Sequence, residues 1–298
     1  MSLKIVSSSD PIDVKQIVLC IYALPGIGKS TLANTADKPL VLDFDQGIYR
    51  SLGRRDSVIV TSWTEVGSMN AADLASYSTI VVDTAGRCLD HLTGEIIRQN
   101  PKAARGSGAL TLQGYGTLKT EFGAWLRTLK SYGKDVVLLA HMDEQRDGDN
   151  VSERLDVQGG SKAEIYKSAD AIAKLYIQNN VRLLDFSPRE GSLGKNPAQF
   201  DLLTVPNVLA SPNFLAETIA AIKNKLNAFG EKQVAVKKET ENWKSIVEAA
   251  VSLQDVQALL QAAQGKSAVQ KKMLMDRAVA LGLEYDKTSK QFQVRVAA

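Results

Sequence analysis

The sequence predicts a doubly wound α/β fold. Short runs rich in β-branched residues recur along the chain, apolar on both faces, as strands of a parallel sheet covered on both sides must be. Stretches of helical periodicity lie between them, and strand–helix alternation of this kind builds such a sheet.

Five runs read as strands: Gln16–Tyr22, Pro39–Phe44, Ser57–Val60, Thr79–Val82 and Asp135–Ala140. Two helical patterns, Gly86–Gln99 and about 111–132, separate the fourth from the fifth. In the second, Leu118, Phe122, Trp125, Leu126 and Leu129 recur at helical spacing and make a core-facing stripe. Beyond Ala140, residues 143–156 read as a polar loop. Ile172–Ile177 and Val181–Phe186 read as two further strands, with Asn179-Asn180 as a hairpin turn between them. Ser211 as a cap and Pro212 at the first helical position start a helix expected to end near Asn227. Residues 230–242 (GEKQVAVKKETEN) are charged and read as a linker. Trp243–Ala263 and Ala268–Leu281 are amphipathic, and Glu284–Val296 is expected to be a short strand or extended piece. The organisation expected is a core domain over 1–230, then a linker and a small, mainly helical domain over 231–298.

Composition narrows the class. With 298 residues, 44% hydrophobic and 23% charged, the chain has ample apolar material for a core and is neither collagenous nor wholly disordered. The longest apolar run, Ile17–Leu24, is far short of the roughly 20 residues that cross a bilayer, and no secretory segment is read at the N-terminus. Membrane insertion and export are therefore not expected. Cys20 and Cys88 sit in or beside apolar segments and fit free thiols in a reducing compartment. The net charge of +3 lies in residues 231–298, where 11 Lys/Arg face 8 Asp/Glu.

The strongest chemical signal is Ala23-Leu-Pro-Gly-Ile-Gly-Lys-Ser-Thr31, directly after the first strand. A phosphate-binding loop needs inward backbone N–H groups, a lysine for the β- and γ-phosphates and a hydroxyl for Mg2+. Pro25, Gly26, Ile27, Gly28, Lys29, Ser30 and Thr31 supply these elements. Such loops open on a glycine, whereas here the position is Ala23, so it must hold an ordinary backbone conformation. The second signal is Thr79–Thr84, a buried apolar strand ending in Asp83, an acid placed to hold Mg2+ with Ser30. ATP and Mg2+ are the expected ligands. A water-activating acid is not found beside Asp83, which is followed by Thr84-Ala85-Gly86. Asp43 and Asp45 close the second strand with the same parity and offer a carboxylate in its place. Tyr49 and Arg50 could stack on adenine or serve ordinary packing.

These residues resemble, in order from about Ile17 to Val205, the RecA-like ATPases, and most closely the Sak-type phage single-strand annealing proteins. The resemblance implies Asp45 as catalytic base, although the family's acid is usually the longer glutamate. It implies His141, ending the Val136–His141 strand, as the γ-phosphate sensor; the rival reading is a structural strand-end residue. Gly159–Asp170 resembles the segment after the family's DNA-binding loop. Gly194-Lys195-Asn196 resembles a stretch whose lysine reaches the neighbouring subunit's ATP, which implies Lys195 in that role and a homo-oligomeric ring or filament; the rival is a solvated loop lysine. Also implied are single-stranded DNA as partner, recombination by strand annealing as function, a single-strand binding protein as a further partner, and the cytoplasm of a bacterial host as location.

The charges qualify the DNA expectation. Residues 143–156 carry six acids against two arginines, a poor match for phosphate. The stretch with Lys102, Arg105 and Gly106-Ser-Gly108 is a better DNA-binding candidate, and the basic residues 231–298 could add to it. Trp125 and Trp243 lie in helical stripes and read as core. The competing function is a nucleotide-dependent switch or loader acting on a protein partner with little hydrolysis.

Overall fold

The computed structural model describes residues 5–8, 10–147, 150–157, 161–189 and 191–295. Gly148 and the Gly159-Gly160 pair lie outside the described residues. The chain divides into two compact units, Val14–Leu226 and Met1–Asp13 with Asn227–Ala298.

In the larger unit the predicted strands form β1 (Val18–Ala23), β2 (Pro39–Asp43), β3 (Ser57–Ile59), β4 (Thr79–Asp83) and β5 (Asp135–Asp147), with β6 (Asn150–Leu155), β7 (Ala171–Gln178), β8 (Val181–Asp185) and β9 (Leu203–Thr204) after them. The sheet runs β3-β2-β4-β5-β1-β7-β8-β9. It is parallel from β3 through β7 and antiparallel beyond, a RecA-like doubly wound core. Alternation along β1 shows why the runs are apolar on both faces. Val18, Cys20 and Tyr22 enter one core cluster with α3 (Ala85–Gln99) and α4 (Leu112–Ser131). Leu19, Ile21 and Ala23 enter the other, with α1 (Lys29–Ala33) and the first turns of α6 (Phe214–Ala249). The α4 stripe predicted from periodicity is buried throughout, and Trp125 also donates from its indole to the carbonyl of Val66, in α2 (Trp63–Gly67), at 3.2 Å. Both cysteines are free and buried.

Three departures from the sequence reading have local causes. Residues 143–156 are not an open loop: β5 continues and pairs with β6 as an antiparallel hairpin. Met142 opposite Leu155 roots it, and Asp143 opposite Arg154 places unlike charges across the ladder. Residues 230–242 are helical, because α6 begins at Phe214 and continues to Ala249. That stretch is rich in helix formers and carries the Lys237–Glu241 pair one turn apart, followed by Lys244–Glu248 in the next turns. The long amphipathic segment 243–263 is instead two helices, the end of α6 and α7 (Leu253–Ala262), because Ser252 and Asp255 form a capping box that starts a new helix. The paired positive φ values at Asn179 (51°) and Asn180 (61°) make the predicted β7–β8 hairpin turn.

In the smaller unit, α7, α8 (Ala268–Ala280) and the hairpin β10 (Leu283–Asp286)–β11 (Gln291–Val294) enclose a core around Trp243, Val247, Val256, Leu274 and Phe292. Trp243 is core, as its stripe suggested, and its indole donates to the Gln270 carbonyl at 2.8 Å.

Candidate functional site

Parallel strands bring their carboxyl ends to one edge, where open α/β sheets bind ligands. Here that edge gathers the phosphate loop after β1, Asp43 and Asp45 at the end of β2, Asp83 at the end of β4 and His141 on β5. Ala23 pairs with His141 and Asp43 with Asp83 across the ladders. The amides of Phe44 and Asp45 donate to the Asp83 carbonyl at 2.8 and 3.3 Å, holding the segment after β2 against β4. A cavity of about 930 Å³ opens there, lined by Pro25, Gly26, Gly28, Lys29, Ser30 and Thr31 together with Asp43, Asp45, Asp83 and His141.

The loop is built on two glycines in the left-handed region, Gly26 at φ 80° and Gly28 at φ 101°. Ala23 needs no such freedom: it is the buried last residue of β1, and its carbonyl accepts from Lys29 Nζ at 3.1 Å. Lys29 Nζ also donates to the Leu24 carbonyl at 3.1 Å and to His141 Nδ1 at 3.2 Å. With Nδ1 accepting, the imidazole carries its proton on Nε2, which lies 3.5 Å from Asp45 Oδ2. Lys29, His141 and Asp45 thus form one line across the cavity. Burial pulls the Lys29 ammonium down to about 8, against the opposing pull of Asp83 and Asp45. At Asp45 burial favours the neutral acid, but His141, Thr84 and Arg87 outweigh it and hold the carboxyl below its ordinary range. Thr84 Oγ1 donates to Asp45 Oδ1 at 3.3 Å, and Arg87 Nε lies 3.7 Å from the same oxygen.

The two strand-end acids of β2 therefore diverge. Asp43 is 1% exposed, and its carboxylate accepts the amides of Gly47 and Ile48 at 3.0 and 2.9 Å, so it fixes the turn. Among the described residues, the Asp45 carboxylate meets only side chains. Asp83 is buried, and among the described residues only the Ser30 hydroxyl donates to its carboxylate. Burial raises its pKa. A buried carboxylate with one neutral donor, beside a hydroxyl, is the hard all-oxygen pair that suits Mg2+, so the donor set fits the expected ion.

Other expected residues lie elsewhere. Tyr49 is 74% exposed on the turn Ile48–Arg50 and does not line the cavity, whereas Arg50 does. Lys195 pairs through its backbone with Ile172, and its Nζ donates to the Tyr166 and Ala169 carbonyls at the end of α5 (Ser161–Ser168), at 3.2 and 2.5 Å. It is not among the cavity residues. Lys102 and Arg105 are exposed between α3 and α4. Sequence reasoning missed Thr84, Arg87 and Arg182. Arg182 lines the cavity and its Nε donates to the Ile27 carbonyl at 2.9 Å. Thr84 and Arg87 follow Asp83 closely enough to be suspected, but no local pattern announces Arg182.

Among the described residues no helix is long and apolar enough to cross a membrane. No curated protein matches the sequence. Among solved structures, the chain is similar to that of the RadB recombinase at 14% identity, over 59% of this chain and 84% of that one, with a TM-score of 0.36. The AAA domain family matches residues 15–198, which hold every cavity residue up to Arg182. With that match over more than half its length, the chain belongs to the AAA domain family.

Proposed function

We propose that this chain binds MgATP in the cavity, hydrolyses it and uses the cycle to handle single-stranded DNA in recombination by strand annealing. The observation that carries the hydrolytic part is the line from Lys29 through His141 to Asp45. The loop amides and Lys29 bind the β- and γ-phosphates. Ser30 and Asp83 hold Mg2+, which supplies charge neutralisation to the phosphates when bound. Asp45, ionised at neutral pH, accepts a hydrogen bond from the attacking water and orients it. An acid held this low is a weak base, so its work is alignment more than proton removal. His141 reads the phosphate through Lys29 on one nitrogen and passes the change to Asp45 on the other.

The DNA part rests on the sequence resemblance and on the exposed Lys102 and Arg105; a phage origin, a bacterial cytoplasm, a homo-oligomer and a single-strand binding protein as partner rest on the resemblance alone. The trans role of Lys195 requires its amine to leave the carbonyls of Tyr166 and Ala169. Phosphate release by wild type and Lys29→Ala, with labelled oligonucleotide titrations across salt, tests both parts. Release lost in Lys29→Ala is expected, and absence of nucleotide binding by wild type would end the ATP reading. Removing Lys102 and Arg105 together should lower the salt slope of oligonucleotide binding by about 1.4. No oligonucleotide binding at low salt would end the DNA reading and leave a switch or loader acting on a protein.

A further inference from the structure

The geometry points to Arg182 as a phosphate-gripping residue supplied from within the same chain. This rests on the reading that a nucleoside triphosphate occupies the cavity. The parallel pairing of β7 with β1 brings the carboxyl end of β7 level with the phosphate loop. The Asn179-Asn180 turn sits at that end, and Asn180 itself lines the cavity. The second residue after the turn is Arg182, paired with Ile177 across the hairpin. Its side chain reaches over the loop: Nε donates to the Ile27 carbonyl at 2.9 Å, and a Cβ on Gly28 would stand 3.3 Å from Nη2.

Two things remain unused there. Among the described residues Arg182 has no carboxylate partner, and only its Nε has a hydrogen-bond acceptor. The N–H groups on the two terminal nitrogens are free, in the fork that matches phosphate oxygens in pairs. A second cation held beside the loop that carries Lys29 is unfavourable alone and favourable once an anion lies between them. A triphosphate with Mg2+ still carries excess negative charge that one lysine does not neutralise. Arg182 supplies the rest, and its bond to Ile27 sets the guanidinium in place before nucleotide arrives. The hairpin turn is thereby part of the nucleotide site.

The test is the affinity of fluorescent ADP and of a non-hydrolysable ATP analogue for wild type, Arg182→Ala, Arg182→Lys and Arg182→Gln, with thermal melting of each. Gln keeps an N–H for Ile27 but no charge. Arg182→Ala should weaken both nucleotides roughly 10- to 100-fold with its melting temperature unchanged. Gln should be no better than Ala, Lys should recover part, and the salt dependence of binding should fall in Ala and Gln. Binding within twofold of wild type in Arg182→Ala overturns the assignment. So does full recovery by Gln, which would make the residue a tether for the loop. If wild type binds neither nucleotide, the proposed function itself has failed, a result separate from either.

Discussion

The two edges of the main sheet use the same residue type for opposite ends. At the amino edge, Asp135 accepts the Ile17 amide at 2.9 Å and Lys223 Nζ at 2.6 Å, and Asp170 accepts the Val18 amide at 2.8 Å and Lys130 Nζ at 3.1 Å. Each carboxylate there joins a backbone amide to a lysine and ties neighbouring strands. At the carboxyl edge, among the described residues, Asp45 meets only side chains, at 3.3 to 3.7 Å, and Asp83 has the Ser30 hydroxyl alone. Short bonds to backbone make an acid structural. Long or solitary contacts leave oxygen lone pairs for a ligand, a water or an ion.

The sharpest way to break this contrast is to neutralise an acid at each edge and compare. Asp45→Asn keeps shape and removes charge at the carboxyl edge. It should lower kcat by about 10²- to 10³-fold while nucleotide affinity stays within a few-fold and the melting temperature holds. Phosphate-release kinetics with a fluorescent-nucleotide titration read this directly. An undiminished kcat would remove Asp45 from the chemistry and favour a nucleotide switch.

Asp135→Ala probes the other edge. It leaves the buried Ile17 amide without its acceptor and the half-buried Lys223 without its acid, so the expected loss is about 3 kcal/mol. Thermal denaturation should show the main transition falling by roughly 10 °C, with activity per folded molecule intact. A stable Asp135→Ala protein would mean that the amino edge does not depend on its acids as the bonds imply.

Most of the sheet was legible because it is written locally. Runs such as VLCIY and IVVD admit little but buried strand, and the Gly26–Ser30 loop directly follows one of them. The Asn179-Asn180 turn was legible because its residue type tolerates the conformation it adopts. What escaped depends on length or on distance. The helix through 230–242 looked like a linker since charge alone does not distinguish a solvated helix from a loop. The 143–156 hairpin reads as polar because its pairing partner, not its composition, makes it a ladder. Arg182 is 154 residues from Gly28 in sequence, and only the placement of β7 beside β1 brings it to the loop.

Asp43 is where the contrast between edges is most exposed, because it sits at the carboxyl edge but is bonded like an amino-edge acid. Two residues from Asp45 and on the same parity, it is indistinguishable from it in sequence. In the fold its two oxygens are taken by the amides of Gly47 and Ile48. Asp43→Asn keeps one acceptor oxygen and puts an NH2 where the other stood. One amide loses its partner, at a cost of about 1 kcal/mol, and the turn leading to Arg50 loosens. The expected result is a small fall in melting temperature and less than a tenfold fall in kcat/KM, most of it a rise in KM with kcat nearly kept. A kcat loss equal to that of Asp45→Asn would mean that bonding, and not position on the edge, fails to separate structural from chemical acids in this sheet. A loss confined to stability would extend the rule from the two edges to two neighbours on one strand.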